Sequence, residues 1–179
     1  YRTGAGISDS FEDGDISEWN GDTGAYSVQS AVAIDGSQAL RDDGSATAHS
    51  LTRSFAAGSY QKVSVWMNDT STGSYHPLFS VQNSGTDLGY VYSDSGNNVI
   101  VRDGGSEVDS GIDVATNAWY KYRFVNIDYA AQTYGLEVYD SSGAMVGSAS
   151  GFSFANSVTE IDSVALSGDN DVAFIDGIQ

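Results

Sequence analysis

The strongest constraint on the fold is a pair of runs rich in aromatic and β-branched residues, 119–128 and 134–140, separated by a short polar break. Runs of this length and alternation, bounded by Gly, Asp and Ser, are typical of antiparallel strands joined as a hairpin. Tyr120, Tyr122 and Phe124 share one face of the first run, because successive side chains of a strand point to opposite sides. We therefore expect this hairpin to organise an all-β fold.

Shorter runs of the same kind recur along the chain. We predict further strands near 25–30, 37–41, 50–55, 62–67, 78–82, 88–92, 98–102, 144–147, 158–166 and 172–178. Turn signals about every 8–12 residues are typical of a sandwich or barrel. The sequence predicts an antiparallel β-sandwich of jelly-roll type with two packed sheets.

Two details sharpen this prediction. In the run 62–67, Val63, Val65 and Met67 share the side expected to face the core, so Trp66 points away from it. Pro77 is the one proline of the chain. Because proline cannot donate a ladder hydrogen bond, we expect it at the start of a strand or at a sheet edge.

Length and charge limit the classes of protein to consider. The 179 residues fit one domain, 1–179, with 1–8 as a lead-in segment, and there is no cysteine.

A formal net charge of −17 repels phosphates and anionic lipids, so we exclude nucleic acid and membrane insertion as partners. The same charge is typical either of an acidic extracellular protein or of a salt-adapted, haloarchaeal-type protein. High salt would screen the repulsion, since the Debye length is about 3 Å at 1 M.

The order of motifs resembles the concanavalin A-like lectin and glucanase jelly rolls, particularly laminin-G-like domains. The resemblance rests on 11–14 followed by Trp19, on the strand that opens at Trp119 and Tyr120, on the strand and Asp-x-x-Gly turn of 134–143, and on the closing stretch 174–178. It covers nearly the whole chain. Its motifs describe a fold better than a function.

The resemblance implies a glycan-active enzyme as one hypothesis. Laminarinase-type members place three carboxylates on one strand, where they serve as nucleophile, helper and acid/base. Here Glu160 and Asp162 are followed by Val164 and Ala165, so the third carboxylate is absent. We interpret the pair as part of a solvated acidic face and expect no catalytic residue there.

The resemblance also implies a structural calcium ion that joins the first strand to the last. The residues at those places are Glu12 and Asp176, with Asp35 and backbone carbonyls completing the shell. Carboxylate and carbonyl oxygens are the ligands that Ca²⁺ prefers. Acidic residues are so abundant here that a chance pair is the alternative explanation.

A glycan site needs aromatic platforms on an exposed face with polar groups around them. Tyr90 and Tyr92 share one face of their run, and Trp66 points away from the core. We predict that these rings and Arg102 form one concave ligand-binding face. The alternative is that the rings fill the core.

These observations favour a non-catalytic extracellular recognition module that binds carbohydrate or surface glycans. The first alternative is a structural subunit, decoration or adhesion protein of a virion, appendage or cell-surface layer, with self-assembly or neighbouring domains of a longer chain as partners. The second is a glycan-active enzyme with an unrecognised site.

A glycosylation sequon, 68–70, falls in a predicted surface loop.

Overall fold

The structure, a computed structural model, describes residues 7–44, 47–70, 77–169 and 171–179. These residues form fourteen β-strands and one 3₁₀ turn, Thr23–Ala25. The strands build two antiparallel sheets of seven strands each. The predicted all-β sandwich of jelly-roll type is confirmed.

In spatial order, the first sheet contains β1 (Asn20–Gly21), β4 (His49–Gly58), β13 (Ile161–Gly168), β6 (Leu78–Asn83), β7 (Thr86–Ser93), β8 (Asn98–Asp103) and β9 (Ser106–Asp113). The second sheet contains β12 (Met145–Ser153), β11 (Thr133–Asp140), β10 (Trp119–Asp128), β5 (Val63–Asp69), β14 (Val172–Asp176), β3 (Ala39–Asp43) and β2 (Tyr26–Gln29). Pro77 directly precedes β6, as predicted.

The predicted hairpin is β10 and β11. The two strands pair antiparallel from Tyr120 opposite Asp140 to Val125 opposite Gly135, and the register shifts after Val125. The other edge of β10 pairs with β5, so the hairpin lies inside the second sheet. Its long alternating pattern reflects this position, because an interior strand has neighbours along both edges and packs one face on the core.

Aromatic rings from both sheets meet in the core. Phe79 of the first sheet lies 6.2 Å from Phe124 of the second, and Phe124 stacks on Tyr134 at 5.2 Å between ring centroids. All three side chains are buried. Burial of a side chain of this size stabilises a fold by roughly 1.5–3 kcal/mol. These contacts join the centres of the two sheets.

A glycine allows Tyr134 to cross between the sheets. A Cβ at Gly89 would lie 2.8 Å from the Tyr134 ring and 2.9 Å from its hydroxyl oxygen. The free space lets this hydroxyl donate to the backbone carbonyl of Arg102 on β8. Tyr134 thereby fixes β8 from the core side, directly behind the candidate site.

Three parts of the sequence prediction are wrong. Strands β1 and β9 were not predicted, and β12 is longer than the predicted 144–147. The sequon residue Asn68 lies within β5 rather than in a loop, with 6% of its surface exposed. Pairing with β10 and β14 overrides the local turn signal and leaves no room for a surface glycan on that side chain.

Within the described ranges, no helix is long and apolar enough to cross a bilayer. The first six residues of the predicted lead-in segment lie outside the described residues.

Candidate functional site

Tyr90, Tyr92 and Arg102 come together on the outer face of the first sheet, the face turned away from the second sheet. Their neighbours in sequence, Val91 and Val101, belong to the core, so alternation directs the three side chains outward. Tyr90 and Tyr92 are half-buried and lie 6.4 Å apart between ring centroids. The rings are therefore available on a surface and do not fill the space between the sheets.

Glu107 of β9 holds both tyrosines. Its Oε1 accepts a hydrogen bond from the Tyr90 hydroxyl at 2.8 Å, and its Oε2 accepts one from the Tyr92 hydroxyl at 3.1 Å. The Nη1 of Arg102 donates to the Tyr90 hydroxyl at 3.3 Å, and the guanidinium carbon lies 5.7 Å from the Tyr90 ring centroid. The two rings are thus fixed by a network that spans β7, β8 and β9.

Partial burial raises the pKa of the Tyr92 hydroxyl to about 12, and the hydrogen bond to Glu107 acts in the same direction. Burial and Glu107 also raise the pKa of Tyr90. Both phenols therefore stay protonated near neutral pH and keep donating to the carboxylate.

A pocket of about 470 Å³ opens beside this network. Its walls combine apolar surface, small residues and two carboxylates; they are Ala48, Leu78, Tyr92, Glu107, Ser167, Gly168 and Asp169. Ser167 of β13 pairs with Leu78 of β6, so the floor is part of the sheet itself. The volume falls within the range of about 300–1,000 Å³ that is common for small-ligand sites.

A buried histidine–aspartate pair supports the wall at Gly168. His49 Nε2 lies 2.8 Å from Asp42 Oδ1, and its Nδ1 lies 2.8 Å from the Thr47 carbonyl oxygen. Burial opposes the charge of His49, but the Thr47 carbonyl and the Asp42 carboxylate outweigh it and raise the pKa of His49. A Cβ on Gly168 would lie 2.0 Å from Asp42 Oδ2, so only glycine fits above this pair.

Trp66 does not join this face. It lies on β5 in the second sheet, where its ring faces Lys121 with 5.5 Å between Nζ and the ring centroid. The predicted face that combines Trp66 with the two tyrosines is therefore wrong. Trp66 does point away from the core, as predicted. Strand β5 belongs to the second sheet and β7 to the first, and the two sheets pack their inner faces together. The outer faces that carry Trp66 and the two tyrosines are therefore on opposite surfaces of the sandwich.

The predicted calcium ligands Glu12, Asp35 and Asp176 gather around one loop, 34–38. The fully buried Asp176 accepts hydrogen bonds from the backbone N–H groups of Ile34 and Asp35 on Oδ2, at 3.0 and 2.9 Å, and from Gly177 on Oδ1 at 2.7 Å. Burial raises the pKa of Asp176, while these three donors oppose the rise. Oδ2 therefore uses both of its acceptor positions and Oδ1 uses one, which leaves little capacity for a cation.

Glu12 holds the other side of the same loop. Its carboxylate accepts hydrogen bonds from the Ser37 N–H and hydroxyl, both at 2.8 Å, and from the Gln38 N–H at 2.6 Å. No group of three or more His, Cys, Asp or Glu side chains in the described part of the chain is arranged to hold a metal ion. The residues therefore fit a clamp of hydrogen bonds better than a calcium shell, and calcium stays a prediction.

The carboxylates weighed for catalysis lie apart from the pocket. Glu160 is exposed and precedes β13, and Asp162 accepts hydrogen bonds from the Ser84 N–H and hydroxyl at 2.7 and 3.1 Å. Of the two histidines, His49 is in the buried pair and His76 lies outside the described residues. The wall residues that the sequence reasoning missed are Ala48, Leu78, Glu107, Ser167, Gly168 and Asp169.

A viral structural protein is a sequence relative of this chain, whereas no protein-family model matches it. The relative is Structural protein 27 of a virus, isolate Australia/Victoria. The two are 32% identical over 168 residues, an alignment that covers 89% of this chain and 32% of the relative. The chain thus spans about a third of the length of the curated relative that it matches.

Solved structures share the fold. The cellulose-induced protein Cip1 superposes with a TM-score of 0.65 at 16% identity, and the match covers 97% of this chain and 96% of the Cip1 chain. An endo-β-1,4-glucuronan lyase from the fungus Trichoderma reesei gives 0.62 at 12% identity, with 98% and 94% covered. A carbohydrate esterase from the Shiga toxin-encoding bacteriophage phi24B gives 0.62 at 12% identity, with 96% and 95% covered. At these identities the likeness shows the jelly-roll fold alone.

Proposed function

We propose that this chain is a glycan-binding domain of a larger virion or surface structural protein. The observation that carries the proposal is the pocket of about 470 Å³ beside the Tyr90–Tyr92 pair. Tyr92 and Leu78 offer apolar surface for the C–H face of a sugar ring. Glu107 on the same walls offers oxygen acceptors for its hydroxyl groups. A concave, mostly apolar site with a few fixed polar groups is the usual form of a small-ligand site.

The site is held in position before any ligand arrives. Glu107 bonds both tyrosine hydroxyls, and Arg102 braces Tyr90 from the next strand. Behind them, the backbone of Arg102 is fixed by the Tyr134 hydroxyl from the core. Binding to a site that is already ordered costs little conformational entropy, which favours affinity.

The comparisons support the context of this proposal. Proteins named for lyase or esterase action on carbohydrates share the fold, and a viral structural protein shares 32% of the aligned sequence. Because the chain spans about a third of that relative, we propose that it works as one domain of a longer protein, at the surface of a virion or cell.

The test is a glycan array probed with the labelled chain, carrying neutral and acidic oligosaccharides. We then compare two variants by titration calorimetry. Tyr92→Ala removes the aromatic wall and should weaken binding at least fivefold, because loss of an aromatic anchor commonly costs more than about 1 kcal/mol. Tyr139→Ala is the matched control, since Tyr139 makes the same kind of contact with Glu137 and Arg123 on the second sheet, away from the pocket.

Equal losses in the two variants, or no array signal at all, would remove the glycan proposal. The relation to a viral structural protein then favours a second candidate, a domain that acts through self-assembly. Analytical ultracentrifugation from 0.1 to 3 M KCl distinguishes the two. A discrete oligomer in the absence of glycan binding supports assembly, and a monomer at every salt concentration contradicts it.

A further inference from the structure

The charges on the pocket walls are of one sign. Among the described residues that line it, Glu107 and Asp169 are acidic and none is basic. Arg102, the cation of the neighbouring network, lies opposite Glu107 across β8 and β9, but it donates to the Tyr90 hydroxyl and is not among the described wall residues. The pocket also belongs to a protein with a net charge of −17, which adds to the negative charge carried by these walls.

The hydrogen-bonding capacity of the walls points the same way. An ionised carboxylate only accepts hydrogen bonds, and each of its oxygens accepts about two. The tyrosine hydroxyls use one position on each oxygen of Glu107. The remaining positions suit donors, and the hydroxyl groups of a sugar are donors. A carboxylate or sulfate on the ligand would instead bring acceptors of like charge against Glu107 and Asp169.

We infer that this pocket selects neutral, hydroxyl-rich glycans and rejects glycans that carry carboxylate or sulfate groups. The inference rests on the proposed function and adds the chemical class of its ligand. A protein that binds acidic polysaccharides would instead need basic residues on the pocket wall.

The experiment uses matched pairs of hexasaccharides that differ only at C6. The pairs are cellohexaose with β-1,4-glucuronan hexasaccharide, and β-1,4-mannohexaose with β-1,4-mannuronan hexasaccharide, alongside the neutral and acidic sets of the array. At 0.1 M KCl we expect the neutral sugars to bind at least tenfold more tightly. The ratio should shrink at 3 M KCl, because salt screens the repulsion.

Glu107→Gln tests the cause. It removes the charge, keeps an amide oxygen of similar geometry, and should reduce the preference for neutral sugars severalfold. Asp109→Asn is the matched control, because Asp109 lies two residues along β9 and is not a wall residue, so the same loss of charge should leave the preference unchanged.

Three outcomes are decisive. A neutral preference that falls in Glu107→Gln and not in Asp109→Asn supports the inference. Acidic glycans that bind as well as, or better than, neutral ones overturn it and leave the glycan-binding proposal standing. No binding of either class overturns both.

Discussion

The Asp176 clamp gives the most demanding prediction. This side chain is fully buried and accepts three backbone N–H groups, from Ile34, Asp35 and Gly177. Asp176→Ala would leave all three donors without their acceptor. A buried donor left unsatisfied costs about 1–3 kcal/mol, so the sum lies between roughly 3 and 9 kcal/mol.

Two effects reduce that sum. Alanine recovers the cost of burying a carboxylate, and water entering beside the exposed loop residue Asp35 would satisfy part of the freed donors. We therefore expect a loss of about 3–5 kcal/mol in the free energy of unfolding. For a domain of this size, that corresponds to a fall of about 6–20 °C in melting temperature. Asp176→Asn keeps one acceptor oxygen and should lose less.

The assay is urea unfolding followed by tryptophan fluorescence, with Asp35→Ala as the control. That variant removes an exposed carboxylate from the same loop and should change the free energy of unfolding by no more than about 0.5 kcal/mol. A loss below about 1 kcal/mol in Asp176→Ala, or equal losses in both variants, would refute the reasoning. The loop would then be held by other contacts.

Further predictions concern salt, calcium, pH and packing. Melting temperature should rise from 0.1 to 3 M KCl, because salt screens the repulsion among the excess carboxylates; a flat or falling curve contradicts the salt-adapted hypothesis. If Ca²⁺ binds at the predicted site, it should stabilise the wild type by about 2.7 kcal/mol at 100 times its dissociation constant and have no effect on Asp176→Ala. An equal gain in stability in the wild type and the variant would mean that the ion binds elsewhere. Because the pKa of His49 is raised in the folded protein, its contribution to stability is fully present below about pH 6.5 and is lost as pH rises through the folded-state pKa. The melting temperature of the wild type should therefore fall in that pH window, whereas that of His49→Gln should not. Gly168→Ala should cost about 1–3 kcal/mol in thermal unfolding, because its Cβ would lie 2.0 Å from Asp42, whereas Gly24→Ala, with no atom within 4 Å, should cost far less.

Strands with one face on the core could be predicted from the sequence. The run 62–67 carries Val63, Val65 and Met67 on one side, and the structure buries all three. Strand β9 was missed because acidic residues and Gly111 dominate Ser106–Asp113. The signal was present in the alternation of Val108 and Ile112 with acidic residues, and it would have revealed Glu107.

The candidate site could be predicted only in part, for a related reason. Alternation tells which residues of one strand share a face, and it grouped Tyr90 with Tyr92 correctly. It does not tell which sheet a strand joins, and so Trp66 was grouped with rings that lie on the opposite surface. Ser167, and Asp169 just after the end of β13, reach the pocket because β13 pairs with β6. The paired residues are 81 to 89 positions apart in sequence, and no local pattern reports such a contact.

The last two strands occupy matching places in the two sheets. β13 lies between β4 and β6, and β14 lies between β5 and β3. We therefore expect each sheet to consist of two separate halves during synthesis, each with an unpaired edge toward the gap, until residues 161–176 leave the ribosome. Closure depends on contacts between residues far apart in sequence, which places this chain among slow folders, on the scale of milliseconds to seconds. The nascent chain is thus most vulnerable to aggregation just before its final strands arrive.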